Sequence, residues 1–351
     1  MIETGKRQGI SCLSSPPLRK GTSRREVKKG ILIAIVGPTA VGKTRVSARL
    51  ATLVGGEIVS ADSSQLYRQM DVGTARPEPE IMSTVPHHLV DSFDLDYPIT
   101  VAEYQRLARQ EIQGIIERKR LPILVGGSGL YLRSVIDDLR FAENALSLEE
   151  RKKLTQELAE KGREVLWEEL QRIDPWYAAK ISAGDTRRII RALEVYRLTG
   201  KPLSSFGGEW GKRRSVYDLT MFGLTAPKDV LYSRIEKRVD GMLEKGLVEE
   251  VKGLIEKGYY NSPVLAQSIG YKEVILYLQG KIHFEEMVRL IKRNSRRLAK
   301  KQLTWFRRDP RILWLDVSSG ENEGELVNQI IRVLKERGVP FELCEISQPG
   351  Q

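Results

Sequence analysis

The stretch ILIAIVGPTAVGKTRVSARLA, residues 31–51, constrains the fold more than any other part of the chain. A continuous apolar, β-branched run leads straight into a glycine-rich loop, as expected of a buried parallel strand. The segment after the loop has helical spacing, with Val46, Leu50 and Leu53 on one face and Gly55 as a stop. This order of strand, loop and helix predicts a phosphate-binding loop in a parallel sheet.

The loop meets the full pattern GxxxxGK[S/T] between Gly37 and Thr44. In such loops backbone N–H groups and the positive helix end surround phosphate oxygens. Lys43 adds a point charge, and the Thr44 hydroxyl is placed to ligate Mg²⁺. We therefore predict these phosphate-binding residues: Gly37, Pro38, Thr39, Ala40, Val41, Gly42, Lys43 and Thr44.

Strands and helices continue to alternate after the loop, in EIVSADS, VAEYQRLARQEIQGIIERKR and LPILVGG. Alternation of this kind predicts the α/β class, with a parallel, doubly wound sheet. Residues 142–205 have helical patterns and no convincing strand, so we expect a helical insertion domain there. The core would then consist of residues 30–141 and 206–340, followed by a tail over 341–351.

Residues 1–29 resemble an unstructured basic extension, with eight basic residues against two acidic ones. They lack the apolar stretch of a secretory signal, which leaves a flexible tail or a transit peptide. The rest of the chain has no run near the ~20 apolar residues that span a bilayer, so we expect no membrane partner. Two cysteines near opposite termini fit a reducing cytoplasm, and a monomer is the default expectation.

Asp62, at the end of the second predicted strand, is the first acidic candidate for chemistry. Because carboxyl ends of neighbouring parallel strands face one crevice, we expect it beside the phosphate loop as a general base. The residue types alone equally allow a helix N-cap before SSQLY. A Walker-B acid is absent from LPILVGG, and Asp316 in RILWLDV is a weak candidate for that role.

The run SADSSQLYRQMDVGTARP, residues 60–77, together with GPTAVGKT, closely resembles the tRNA dimethylallyltransferases. Six further stretches agree in the same order: PHHLVDSFD, GGSGLYL, DTRRIIRALEV, RVDGMLEKGLVEEV, QSIGYKE and AKKQLTWFRR. The resemblance covers about residues 30–318. It implies transfer of the dimethylallyl group from dimethylallyl diphosphate to an adenine 3′ of the anticodon in tRNA.

The resemblance also assigns roles to individual residues. It implies that Lys43, Thr44 and Arg238 bind the diphosphate with Mg²⁺, and that Asp62 takes a proton from the exocyclic amine of adenine. Ser128 in GGSG matches a Ser or Thr beside this base. The implied tRNA-contacting residues are Asp62, Ser63, Ser64, Gln65, Ser128, Arg151, Arg187, Arg188 and Arg191, with slightly altered spacing at Arg151. The anticodon stem-loop would therefore be the macromolecular partner.

The net charge of +11 favours an acidic partner, and its densest segment is residues 287–308. We expect Met287, Ile291, Leu298 and Trp305 to form one buried stripe, with basic side chains facing RNA. The adjacent His87 and His88 would point to opposite faces of an extended segment, so a local hydrogen-bonding role is favoured over a shared metal. The pairs Tyr259–Tyr260 and Trp305–Phe306 are expected in the core.

Three other functions stay open from the sequence. An adenylate isopentenyltransferase would use the same chemistry on free adenine nucleotides. A small-molecule kinase would use the same loop but needs ATP and a Walker-B acid. A non-catalytic RNA-binding module would not need Asp62 at all.

Overall fold

The structure is a computed structural model, which describes residues 29–142, 145–206, 212–318 and 323–343. The expectations for residues 1–28 and 344–351 lie outside the described residues.

A parallel sheet forms the centre of the described chain. Its strands are β1 (Ile31–Val36), β2 (Gly56–Ser60), β3 (His87–His88), β4 (Leu121–Gly126), β5 (Asp218–Thr225) and β6 (Ile312–Asp316). They pair in the order β3-β2-β4-β1-β5-β6, and every pairing is parallel. The predicted α/β class with a parallel sheet is therefore confirmed.

Helices cover both faces of the sheet. They are α1 (Lys43–Val54), α2 (Pro79–Thr84), α3 (Val101–Glu117), α4 (Gly129–Ile136), α5 (Leu148–Lys161), α6 (Arg163–Ile173), α7 (Pro175–Ala178), α8 (Thr186–Thr199), α9 (Lys228–Glu244), α10 (Leu247–Glu256), α11 (Pro263–Gln267), α12 (Tyr271–Leu278), α13 (Phe284–Phe306) and α14 (Glu323–Glu336). Gly246 separates α9 from α10, because its φ of 90° interrupts the helical backbone.

Two apolar layers sandwich the sheet, because successive side chains of a buried strand point to opposite faces. In β1, Leu32 and Ala34 belong to one layer, with helices α3, α4, α12 and α13. Ile33 and Ile35 belong to the other, with α1 and α14. This burial on both faces explains why β1 is a continuous apolar run rather than an alternating one.

Helices α5, α6 and α8 pack around an apolar cluster of their own. Its buried members are Leu154, Leu166, Leu170, Ala178, Ile189, Ala192 and Leu193. The two connections to the sheet run side by side, since the Val216 N–H donates to the Ile136 carbonyl at 2.9 Å. The predicted limits of 142–205 for an insertion domain stay a prediction.

The predicted apolar stripe of α13 is partly wrong. Met287 and Ile291 are buried as expected, but Leu298 is 37% exposed and Trp305 is 41% exposed. The buried positions are instead Ala299 and Phe306. Apolar residues spaced by exactly seven drift around a straight helix by about 20° per heptad. In the C-terminal half of α13 the buried positions are therefore one residue further on, at Ala299 and Phe306.

Candidate functional site

The phosphate loop joins β1 to α1 through a backbone that requires glycine. Gly37 has φ 150° and Gly42 has φ 99°, and a Cβ at Gly37 would lie 2.6 Å from the Leu224 carbonyl oxygen. Ala40 also adopts a left-handed conformation, with φ 62°. These turns place the N-terminus of α1 at the carboxyl end of β1, where its free N–H groups can bind an anion.

Asp62 lies two residues beyond the end of β2, in a turn rather than before a helix. Its Oδ1 accepts the Ser64 N–H at 3.0 Å, which closes a local turn. The alternative of a helix N-cap is therefore wrong. One carboxylate oxygen of Asp62 is left for other contacts.

β2 does not neighbour β1, contrary to the expectation from the sequence, because β4 lies between them. The glycine at the end of β4 lets the chain after β2 cross over it. A Cβ at Gly126 would lie 2.1 Å from the Ala61 carbonyl oxygen, closer than any side chain allows. Asp62 reaches the phosphate loop for this reason and not through strand adjacency.

Lys43, Arg238 and Asp62 form one electrostatic group. Burial lowers the pKa of Lys43 to about 8, an effect that Asp62 opposes and Arg238 adds to. Burial also lowers the pKa of Arg238, again opposed by Asp62. The Lys43 ammonium donates to the Pro38 carbonyl at 2.7 Å. Two cations thus lie next to the loop, with a single carboxylate against them.

Arg238 is oriented from two sides. Its guanidinium donates to the Thr39 hydroxyl at 3.3 Å and to the Thr74 carbonyl at 3.1 Å. Gln65 donates to the same Thr74 carbonyl at 3.4 Å and to the Ala75 carbonyl at 3.3 Å. The segment 71–75 therefore forms a wall of the site.

A half-buried carboxylate of α10 holds this wall in place. The Glu250 carboxylate accepts the backbone N–H groups of Asp71, Val72 and Gly73 at 2.9, 2.8 and 3.3 Å. It also accepts the Tyr271 hydroxyl at 2.7 Å. Four donors on one carboxylate keep the segment in place, and no sequence motif indicates this role of Glu250.

These groups open into a cavity of about 1560 Å³ between the sheet and helices α5–α8. The predicted residues that line it are Thr39, Lys43, Thr44, Asp62, Ser63, Ser64, Gln65, Arg151, Arg188, Arg191 and Arg238. Residues 30–141 and 145–206 thus contribute to one space.

Arg151 and Arg191 are not free cations. Each donates to the Glu194 carboxylate at 2.8 Å, and that side chain is fully buried. Arg191 also donates to the Ala145 carbonyl at 2.6 Å. Trp176 lies nearby on the cavity wall, 59% exposed, with the Lys180 ammonium 2.9 Å from the centre of its ring.

The other predicted residues do not line the cavity. Arg187 is exposed on α8, outside the cavity wall. Ser128 lies behind Ser63, accepting its backbone N–H and donating to its hydroxyl, both at 3.2 Å. The remaining residues of the phosphate loop do not line the cavity; they are Gly37, Pro38, Ala40, Val41 and Gly42.

Two residues of α13 that the sequence analysis did not assign to the site, Gln302 and Trp305, line the cavity. Trp305 was predicted to be buried, but its indole lies against Gly129, where a Cβ would come within 2.2 Å of the ring. Tyr260 is likewise 47% exposed, so its predicted burial is wrong. Aromatic pairs do not by themselves tell a core position from a cavity wall.

The histidines have the local role that the sequence favoured. His87 Nδ1 contacts the Val85 carbonyl at 2.7 Å, and His88 lies between the carboxylates of Glu57 and Glu111 at 2.7 and 2.9 Å. Among the described residues no group of three or more His, Cys, Asp or Glu could bind a metal. Asp316 accepts the Ser318 N–H at 2.8 Å and does not line the cavity.

In the part of the chain that the structure describes, no helix combines the length and apolar character needed to cross a bilayer.

Comparisons with known proteins agree with this geometry. The family model described as IPP transferase matches residues 65–309. The chain is 48% identical over 308 residues to a tRNA dimethylallyltransferase of Carboxydothermus hydrogenoformans, covering 88% of this chain and 97% of the relative. It is 45% identical to the tRNA dimethylallyltransferase of Geobacillus thermodenitrificans, covering 86% of this chain and 96% of that one.

Two solved structures are similar. The full-length tRNA isopentenylpyrophosphate transferase of Bacillus halodurans has a TM-score of 0.62 and 44% identity, over 88% of this chain and 98% of that chain. A eukaryotic dimethylallyltransferase acting on tRNA has a TM-score of 0.75 and 26% identity, over 89% of this chain and 81% of that chain. From its sequence and its fold, the chain belongs to the IPP transferase family.

Proposed function

We propose that the protein transfers the dimethylallyl group of dimethylallyl diphosphate to the exocyclic amine of the adenine 3′ of the anticodon in tRNA. One observation carries the proposal: a single cavity is lined by the phosphate loop, by Asp62 and by arginines of the helices α5–α8. A donor with a diphosphate and an acceptor with a nucleophilic amine would meet there. The names of the relatives support the same reaction.

The phosphate loop would hold the diphosphate as a leaving group. Backbone N–H groups at the start of α1, the Lys43 ammonium and the Arg238 guanidinium supply positive charge for the oxygens that become negative as the bond breaks. No phosphoryl group needs to move, so the missing Walker-B acid at Gly126 is no obstacle. The loop serves as a handle for the donor.

Mg²⁺ fits the site through one protein ligand and the substrate. Thr44 lines the cavity at the start of α1, and the described residues offer no all-protein metal cage. Mg²⁺ commonly keeps its waters and is bound by one or two protein groups plus phosphate oxygens. When bound by Thr44 and the diphosphate, it would neutralise leaving-group charge.

Asp62 would act as the general base. The amine nitrogen forms a bond to the allylic carbon, and the bond from that carbon to the diphosphate oxygen breaks. Asp62 accepts the N–H proton as the new bond forms, and diphosphate leaves. Its turn, closed by Ser64, and the Ser63–Ser128 contacts would orient the carboxylate toward the amine.

An adenine in an anticodon loop must leave its stack to reach such a cavity. We propose that Ser63, Ser64, Gln65 and Ser128 contact the displaced nucleotide. Residues 142–205, with Arg151, Arg187, Arg188 and Arg191, would contact the surrounding loop, since splayed bases and arginine platforms are common in RNA recognition. One monomer carries every group that this reaction uses.

An acceptor-choice assay tests the proposal. Labelled dimethylallyl diphosphate is offered with either an anticodon stem-loop or adenosine monophosphate, at matched concentrations. We expect labelling of the stem-loop. Efficient labelling of the mononucleotide alone would assign the protein to the adenylate isopentenyltransferases, and ADP formation from ATP would assign it to the kinases.

A further inference from the structure

The donor and acceptor halves of the cavity are connected through one side chain of α13. Gln302 Oε1 accepts the backbone N–H of Thr39 in the phosphate loop at 2.9 Å. Its Nε2 donates to the carbonyl of Gly127 at 3.1 Å, in the turn that follows β4. The two loops follow different strands, and the Gln302 amide contacts both of them.

Each contact continues toward a group that the proposed reaction uses. On the donor side, Thr39 accepts a hydrogen bond from Arg238. On the acceptor side, the residue after Gly127 is Ser128, which accepts the backbone N–H of Ser63 next to Asp62. Gln302 is the central link of a hydrogen-bonded path from the diphosphate-binding arginine to the turn of the general base.

The chemistry of the link requires an amide. One end must accept from an N–H and the other must donate to a carbonyl, and a neutral carboxamide does both when its oxygen faces Thr39. The contact is also tight, because a Cβ at Gly127 would lie 2.4 Å from the Gln302 nitrogen. Gly127 has no positive φ, so a side chain at this position would act mainly by displacing the Gln302 amide.

We propose that Gln302 is a positioning residue that sets the separation between the allylic carbon of the donor and the amine of the acceptor. This inference rests on the proposed prenyl transfer. It assigns Gln302 no contact with the reacting atoms. Because reacting groups displaced by about 1 Å can lose roughly 100-fold in rate, loss of the link should appear in kcat.

The substitution Gln302→Glu gives a specific test, because its effect depends on pH. An ionised Glu accepts from Thr39 but opposes the Gly127 carbonyl, whereas a protonated Glu does both tasks of the amide. Placement beside a carbonyl in a half-buried site raises the pKa of such a carboxyl above its ordinary value. We expect the ratio of variant to wild-type kcat to rise about tenfold or more from about pH 9 to about pH 6.

The substitution Gln302→Met keeps the length of the side chain and removes both hydrogen bonds. We expect a kcat roughly 100-fold below wild type at every pH, with KM values for donor and stem-loop changed less than about threefold. Gln113→Glu on α3 is the matched control, because Gln113 is exposed, donates to Glu117 and does not line the cavity. Its kcat ratio should stay near one at every pH.

Three results would overturn the proposal: a wild-type kcat in Gln302→Met, a Gln302→Glu ratio independent of pH, or a defect confined to KM. If Gln302→Met loses its fold, judged by thermal unfolding, the pH-dependent ratio of Gln302→Glu still decides. The ratios are measured with whichever acceptor the wild type labels. A wild type that labels only adenosine monophosphate therefore contradicts the proposed acceptor without affecting the test of Gln302.

Discussion

Lys43 is expected to make donor binding depend on pH. Its pKa of about 8 results from burial, which favours the neutral amine. Bound diphosphate favours the ammonium, so binding above pH 8 requires uptake of a proton. Affinity for the donor should be level below that pH and fall by up to about tenfold per pH unit above it. Calorimetry in two buffers of different ionisation enthalpy measures both the affinity and the proton uptake.

Lys43→Arg provides the comparison, because a guanidinium stays charged throughout this range. The variant should bind the donor more weakly, since a planar group replaces a compact one, but its affinity should not fall between about pH 8 and 9.5. A wild-type affinity that stays level up to about pH 9.5 would show that Lys43 is not the titrating group.

Asp62→Asn should separate catalysis from binding. The amide oxygen can still accept the Ser64 N–H, so the turn is kept while the base is removed. Loss of a general base costs typically 10²–10⁴-fold, so single-turnover transfer should slow by about that factor. Binding of tRNA in a filter assay should be mostly unchanged. An unaltered transfer rate would contradict the role of Asp62 as the general base.

Gly126, the glycine at the end of β4, explains how Asp62 reaches the phosphate loop. Gly126→Ala would place a Cβ 2.1 Å from the Ala61 carbonyl, so the backbone next to Asp62 must move. Overpacking of this kind costs about 1–3 kcal/mol, and we also expect a drop in kcat of roughly tenfold or more. Thermal unfolding and steady-state kinetics measure the two effects.

Gly253→Ala on α10 is the matched control. A Cβ there meets nothing within 4 Å, and the residue has helical geometry without a positive φ. The same substitution should therefore raise stability by about 0.4–1 kcal/mol, and kcat should not change. If both variants destabilise the protein equally, the contact with Ala61 is not the cause.

Helix α13 has a basic face suited to RNA. Lys292 and Arg296 form ion pairs with Asp240 and Glu236, two acidic residues of the neighbouring helix α9. Arg297, Lys300 and Lys301 are exposed and have no ion pair within the described chain. Replacing these three by Gln should lower the slope of log affinity against log salt by roughly 2–3 for the stem-loop.

The exposed pair Arg332 and Lys335 on α14 gives a comparison of similar charge. Their replacement by Gln should leave the salt slope nearly unchanged if α13 is the contact surface. Equal slopes for the wild type and the α13 triple variant would mean that RNA does not contact this face.

The sequence predicts those features of the whole molecule that depend on residues close together along the chain. The phosphate loop, the parallel sheet and the helical character after residue 142 follow from periodicity and glycine spacing. Strand order does not, because nothing local tells that β4 would lie between β1 and β2. Gln302 and Glu250 were missed for the same reason: their partners lie 263 and 179 residues away along the chain.

Helices α5–α8 should determine the choice of acceptor for the whole molecule. They have their own apolar cluster, and their connections to the sheet meet where the backbone N–H of Asp138 donates to the Arg214 carbonyl at 3.1 Å. A short Gly-Ser linker between these connections could therefore replace the segment while the sheet and phosphate loop keep their contacts. The shortened protein should still bind the donor, because Lys43, Thr44 and Arg238 lie in the remaining part.

Transfer to the stem-loop should then fall by much more than transfer to adenosine monophosphate, because under the proposed binding mode only the larger acceptor would extend to Arg151, Arg188 and Arg191. Comparing kcat/KM for the two acceptors measures this selectivity directly. Arg188→Gln within the full chain controls for damage by the deletion, because it leaves Arg151 and Arg191 paired with the buried Glu194. An equal loss for both acceptors in both variants would mean that these helices support the cavity without selecting tRNA. A selective loss in both would assign part of the acceptor choice to Arg188, since the full-length variant keeps the sheet and its connections intact.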